Sequence, residues 1–302
     1  MGGAPHKPVL LLALIKAFDF GIYKSNRIQV TPELIGYFKT YWTALVKTGH
    51  KESFVLPFFH LKGERSGFWK LVAKPGYQFA LTTSHSIKSF KALTDALDFA
   101  EIDIELAELL KERTNRDILA QALLSQYFPG NKVSAVEEIK GDYYKEIQTR
   151  LFNEPEEYIE RVKELYGNKK GMDEELELET FSRGEAFKRE IPKIYNYTCA
   201  ITGLRVDSAS DVSMVDACHI VPFSISFDDS LTNGIALCPN MHRAFDRGLI
   251  AIDDDYRVVV SKNFMESWSH YSIKQYERKE ILLPEDKRMW PGKENLKKQR
   301  EN

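Results

Sequence analysis

The stretch from Val212 to Gly248 constrains this chain more than any other. Val212 to Val221 is rich in β-branched and apolar residues and ends in Ala217-Cys218-His219-Ile220-Val221-Pro222, the pattern of a strand finishing at a proline. A polar loop, Ser224 to Thr232, leads into a second short strand, Asn233 to Cys238. Pro239 suits a first helical turn, and Gly248 stands where a left-handed cap would close a helix running to about Arg247. The local prediction is strand, loop, strand, helix. His242 and Asp246 fall one turn apart on the same face of that helix. An imidazole and a carboxylate so placed can grip one divalent cation.

These residues resemble the HNH nucleases, whose fold is a ββα-metal unit. The resemblance lies in an ordered set: Cys199-Ala200-Ile201-Thr202-Gly203, Asp216-Ala217-Cys218-His219-Ile220, Asn233-Gly234, and Leu237-Cys238-Pro239-Asn240-Met241-His242-Arg243-Ala244-Phe245-Asp246-Arg247-Gly248. It implies that His219 is a general base, that Asn233 keeps loop and base in register, and that His242 is a metal ligand. It also implies 3'-hydroxyl and 5'-phosphate products. The chemistry demands these residue types. A phosphodiester is an anion that resists nucleophiles, so its cleavage needs a deprotonated water and a cation that neutralises developing charge. A neutral imidazole can take the water's proton near neutral pH.

Two departures from the family pattern shape the expected site. Many members carry an acidic or His ligand immediately before the base, where this chain has Cys218. Asp216 is the next residue on that face, so the first-strand ligand is open; the expected metal set is His242, Asp246 and Asp216, with Cys218 read as a small buried residue. Many members also hold a structural zinc with two CxxC pairs, whereas here Cys199 is matched by Thr202 and Cys238 by Met241. No structural zinc is expected. The expected cofactor is a divalent ion, Mg2+ or Mn2+, with other divalent ions open. Arg243 and Arg247 share the helix and suit either phosphate contact or a solvated face.

At 302 residues and 43% hydrophobic, the chain predicts two packed domains. Lys and Arg number 42 against 44 Asp and Glu, so a DNA-binding face has to be local. Three cysteines make no disulfide framework, no signal-peptide pattern precedes them, and no apolar run is long enough to span a bilayer; a cytoplasmic location away from membranes is expected. The fold class expected is α+β: a mixed α+β DNA-reading domain over residues 1–165, a linker over 166–180, and the ββα-metal nuclease domain over 181–302. In the first domain the pattern predicts a buried helix from Pro8, a helix capped by Thr31 and running to about Lys47, a β-hairpin over Phe54 to Val72, and helices from about Ser86 to Phe128. After the linker, Phe181 to Tyr197 reads as a helix.

A small nuclease core discriminates little, so the first domain is expected to choose the target. His6-Lys7-Pro8, Leu56-Pro57-Phe58-Phe59-His60-Leu61 and Gly67-Phe68-Trp69 resemble the N-terminal halves of restriction endonucleases ending in an HNH unit. More loosely they are similar to sulfur-binding domains that recognise phosphorothioate DNA. That likeness implies a pocket at Pro57 and Phe58 and contacts from His60, Lys62 and Arg65. The expected DNA-binding residues are therefore His60, Lys62, Arg65, Pro57 and Arg243. The expected partner is double-stranded DNA read by sequence or modification, phosphorothioate among the options, with two copies of the chain acting together. The alternative is a DNA-binding protein that keeps the HNH fold without effective catalysis.

Overall fold

The computed structural model describes residues 4–82, 87, 89–130, 143–152, 156–167, 173–206, 213–267 and 269–301. It divides into two compact units, Met1–Glu146 with Lys170–Ser182 and Ile147–Lys169 with Arg183–Asn302. Helices and strands are mixed in both, as an α+β chain requires. Among the described residues no helix is long and apolar enough to cross a membrane.

In the first unit, α1 (His6–Asp19) buries Val9, Leu10, Leu12, Ala13 and Leu14 and so has apolar side chains nearly all round. β1 (Arg27–Ile28) precedes α2 (Pro32–Leu45), which starts as its sequence predicts: Thr31 Oγ1 accepts from the Leu34 amide at 3.2 Å, and Pro32 occupies the first turn. The expected hairpin over Phe54 to Val72 does not form. Its first arm is a helix, α3 (Val55–His60), followed by a 3-10 turn at Leu61–Gly63; only the second arm is a strand, β2 (Trp69–Ala73).

A distant carboxylate explains the correction. Glu174 accepts from the amides of Phe54 at 2.6 Å and Val55 at 2.9 Å and from Ser53 Oγ at 2.8 Å, satisfying the free donors of the helix start. Pro57 then falls in the first turn, where its missing N–H costs no hydrogen bond. α4 (Phe90–Ala96) is capped in the same way. Ser89 Oγ accepts from the Ala92 amide at 3.1 Å, and Glu177 from the Phe90 amide at 2.6 Å. Burial pushes the Glu177 carboxyl above its ordinary range, against the pull of these amides.

The second correction is a strand inside the region expected to be helical. β3 (Leu97–Ile102) separates α4 from α5 (Ile104–Lys111) and α6 (Arg113–Tyr127). It is the central strand of an antiparallel sheet of order β1-β3-β2, with Trp69 opposite Ile102 and Ile28 opposite Ala100. Ala100 and Ile102 are buried while Phe99 and Glu101 beside and between them are partly exposed, an alternation too short to stand out among the flanking helices.

The second unit contains most of the helix Tyr143–Phe152, the helix Glu156–Gly167, and the end of the long helix Glu174–Ile194. The long helix begins at Glu174 rather than Phe181, so residues 174–180 of the expected linker are helical, while 168–172 lie outside the described residues. Arg183 is fully buried with its guanidinium 3.8 Å from the centre of the Tyr158 ring. The nuclease-like motif forms an antiparallel pair, β4 (Asp216–His219) and β5 (Gly234–Leu237), followed by the helix Pro239–Asp246. Val212, the expected start of β4, lies outside the described residues. Gly248 has φ +64°, and its amide donates to the Phe245 carbonyl at 3.0 Å. A second pair, β6 (Ile250–Ile252) with β7 (Val258–Val260), follows. The helix Lys293–Glu301 packs on β6 through Arg300, which donates to the Ile252 carbonyl at 2.6 Å.

Candidate nuclease site

His219 ends β4 opposite Gly234, and its ring is held on two sides. Phe187 stacks on it with centroids 3.9 Å apart and planes 6° from parallel. Asp229, on the polar loop, places Oδ1 3.1 Å from His219 Nε2. A carboxylate accepts, so the neutral ring keeps its proton on Nε2 and leaves the Nδ1 lone pair bare. The His219 side chain is 25% exposed and Asp229 is 2% exposed, so water reaches the imidazole while its carboxylate partner is shielded. Among the described residues Asp229 Oδ2 is buried without a hydrogen-bond partner. The sequence reading missed Asp229 because an Asp in a polar loop carries no signal of where it points.

Gly234 is required by the same packing. A Cβ there would come within 2.9 Å of Phe187 Cε2 and closer still to Ile191. Asn-Gly is therefore more than a turn signal here: the missing side chain admits the ring that stacks on His219.

Asn233 is fully buried and ties the loop between the strands. Its Oδ1 accepts from the Val221 amide at 2.9 Å. Its Nδ2 donates to the carbonyls of Val221 at 3.0 Å and Asp228 at 2.9 Å. The loop that starts after His219 and carries Asp229 is thus closed through one amide side chain.

The helix Pro239–Asp246 brings a second group of side chains against β4. Cys218 Sγ, a ring nitrogen of His242 and a carboxylate oxygen of Asp246 lie within 4.8 Å of one another. His242 Nε2 is 3.4 Å from Asp246 Oδ2, and the Cys218 thiol donates to Asp246 Oδ1 at 3.7 Å. Burial raises the Cys218 thiol well above its ordinary range, and the negative charge of Asp246 raises it further. Asp216, expected as the third ligand, lies outside this group, with Oδ2 3.8 Å from the other ring nitrogen, His242 Nδ1. Thiol, imidazole and carboxylate are all donors that a divalent ion accepts, and partial exposure of His242 and Asp246 leaves room for a further ligand.

Cys199 and Cys238 meet elsewhere in this unit. A hydrogen bond with the Cys238 thiol pulls the Cys199 thiol below its ordinary range, and Thr202 contacts both sulfurs: its amide donates to Cys199 Sγ at 3.5 Å, and its Oγ1 lies 3.9 Å from Cys238 Sγ.

Of the residues expected to touch DNA, Arg243 is exposed on the helix Pro239–Asp246. In the first unit Pro57 is buried in the first turn of α3, and His60 is exposed at its end, so neither sits on a hairpin tip. Burial, with Lys7 and Lys62 nearby, lowers the His60 imidazole. Lys62 donates to the carbonyls of Leu81 at 2.6 Å and Thr82 at 3.2 Å and lies over the Phe59 ring, which gives it a structural task. Arg65 is exposed.

Residues 199–253 match the model of a family described as HNH endonuclease. No curated protein sequence matches the chain. Among solved structures it is similar to one described as "Modification dependent TagI restriction endonuclease", at 21% identity and a TM-score of 0.29, over 38% of this chain and 36% of that one. The chain thus spans about a third of that protein's length. Residues 199–253 thus carry a domain of the HNH endonuclease type.

Proposed function

We propose that this chain is a metal-dependent DNA endonuclease of restriction type in which His219 is the general base. The observation that carries the reading is the two-sided hold on His219: Phe187 fixes the ring plane, and Asp229 at 3.1 Å fixes the tautomer that leaves Nδ1 free. A base held so needs no reorganisation when it takes a proton. His219 accepts the attacking water's proton at Nδ1, and Asp229 stabilises the imidazolium that forms. Asn233 maintains the loop that holds Asp229 beside the ring. His242 and Asp246 would hold the divalent ion. When bound, the ion supplies positive charge to the phosphate and the leaving oxygen. Arg243, exposed on the same helix, contacts the DNA backbone.

Residues 1–165 read the target, by sequence or by modification, with 166–180 as connector to the nuclease domain. His60 and Arg65, both exposed, are the proposed contacts in that part. Two copies cooperate on duplex DNA so that each cuts one strand. The test incubates the protein and His219→Ala with divalent ions and matched plasmids that are unmodified, methylated, hydroxymethylated or phosphorothioated, followed by mapping of breaks. Cleavage by the wild type alone is expected. Equal inertness of both proteins on all plasmids and with all ions would overturn the catalytic assignment, and equal cutting of all four plasmids would overturn modification sensing.

A further inference from the structure

Cys218 is fully buried on β4, with Ile235 as its partner across the strand pair, so its position is set by the sheet. Its sulfur nevertheless faces the two polar ligand groups of the helix Pro239–Asp246. An ion with four bonds of about 2.0–2.3 Å sets its ligand atoms roughly 3.3–3.8 Å apart. One ligand atom from each of Cys218, His242 and Asp246 lies within 4.8 Å of the others, and the two Asp246 oxygens lie 3.7 Å from Sγ (Oδ1) and 3.4 Å from His242 Nε2 (Oδ2), close to that spacing. Asp216, 3.8 Å from His242 Nδ1, is the carboxylate partner on the far side of the ring, which leaves Nε2 facing Asp246 and free to bind an ion.

The donor chemistry separates classes of ion. Mg2+ binds oxygen ligands in near-octahedral geometry and gains little from sulfur. Three protein ligands of sulfur, nitrogen and oxygen with one position left open match a thiophilic or borderline ion instead. We propose that Cys218 is a thiolate ligand of the nuclease's ion, and that it makes the site select an ion of the zinc or cobalt kind over Mg2+. The proposal rests on the reading that His242 and Asp246 hold a divalent cation. On binding, a sulfur-to-metal bond forms and the thiol proton leaves to solvent. If Cys218 were packing alone, two ligands and a shell of waters would remain, and a hard ion would serve as well.

The test titrates the full-length chain with Co2+ and follows its absorption. A near-ultraviolet sulfur-to-cobalt band should accompany the visible bands of bound Co2+. Cys218→Ser, checked for folding by circular dichroism, should lose the near-ultraviolet band and bind Co2+ at least about tenfold more weakly by calorimetry. A variant with Cys199→Ser and Cys238→Ser should keep the band. In thermal melts Zn2+ should raise Tm at concentrations where Mg2+ does nothing. Bound Co2+ without the near-ultraviolet band, a band lost with Cys199 and Cys238 instead, or equal stabilisation by Zn2+ and Mg2+ would each overturn the thiolate assignment while leaving the metal site standing. Absence of any bound Co2+, Zn2+ or Mg2+ in equilibrium dialysis would overturn both.

Discussion

Asp229→Asn tests the link between the loop and the base. In the native chain a carboxylate oxygen lies 3.1 Å from His219 Nε2, and the other oxygen is buried without a partner. If His219 acts as the proposed base, the first contact favours the imidazolium that would form as it takes a proton. A hydrogen bond to a charged group contributes about 1.5–3 kcal/mol, against about 0.5–1.5 kcal/mol for a neutral one. An amide that still accepts from Nε2–H therefore forfeits roughly 1–1.5 kcal/mol of transition-state stabilisation, or about 5- to 13-fold in kcat. An amide that turns its NH2 toward the ring imposes the opposite tautomer, and the loss grows well beyond that. Stability should move differently. The substitution removes a buried charge with an unsatisfied oxygen, so Tm should hold or rise. The assay is single-turnover nicking of plasmid at saturating enzyme, with KM and calorimetric Tm measured on the same preparations. A kcat within twofold of wild type, or a kcat loss matched by a Tm drop of several degrees, would refute the positioning role.

Three further outcomes follow from the geometry. His219→Ala should lower kcat by about 10²–10⁴-fold in the plasmid assay with an unchanged circular dichroism spectrum, since the ring lies at a partly exposed site. Gly234→Ala should cost about 1–3 kcal/mol in urea unfolding, because the new Cβ overlaps Phe187 and Ile191; it should also reduce kcat by displacing the ring stacked on His219. Glu177→Gln concerns pH dependence. Burial raises the Glu177 carboxyl above its ordinary value, so the folded chain holds a proton that the unfolded chain releases; stability from this group is present below the ordinary carboxylate range and lost as pH rises through the folded value. The variant should show a flatter decline over that window and equal or greater stability at neutral pH, measured by urea unfolding across pH; a steeper decline would contradict the burial argument.

The elements that could be read from sequence are those whose determinants are local. Thr31 and Pro32 cap their own helix, and Pro239 and Gly248 start and stop theirs, each within a few residues of the group they satisfy. The segments that could not be read depend on partners far along the chain. Phe54 to His60 has the apolar, aromatic composition of a strand, yet Glu174 supplies the helix-start acceptors from the other side of the first unit's sequence. β3 is fixed by β1 and β2 on its two edges, and neither edge is visible in the residues of Leu97 to Ile102 themselves.

The same division runs through the site. The spatial grouping of His219, Asn233, His242 and Asp246 follows from ordered spacing along strand, turn and helix, and the helical offset alone places His242 beside Asp246. The assignment of Cys218 and Asp216 does not, because strand alternation puts both on one face and cannot say which reaches the helix at the right depth. Depth decides it. The residue one step from the base is buried against the helix and meets Asp246, whereas the residue nearer the strand's start is exposed and meets the outer nitrogen of His242. On the proposed reading, the buried sulfur at the inner position would set the kind of ion the imidazole shares, and the carboxylate at the outer position would orient the imidazole. Exchanging the two side chains, Asp216→Cys with Cys218→Asp, keeps the composition and inverts that order. The swapped chain should therefore lose the cobalt–sulfur absorption of the native one, and retention of the band would show that depth on β4 is not what selects the ligand.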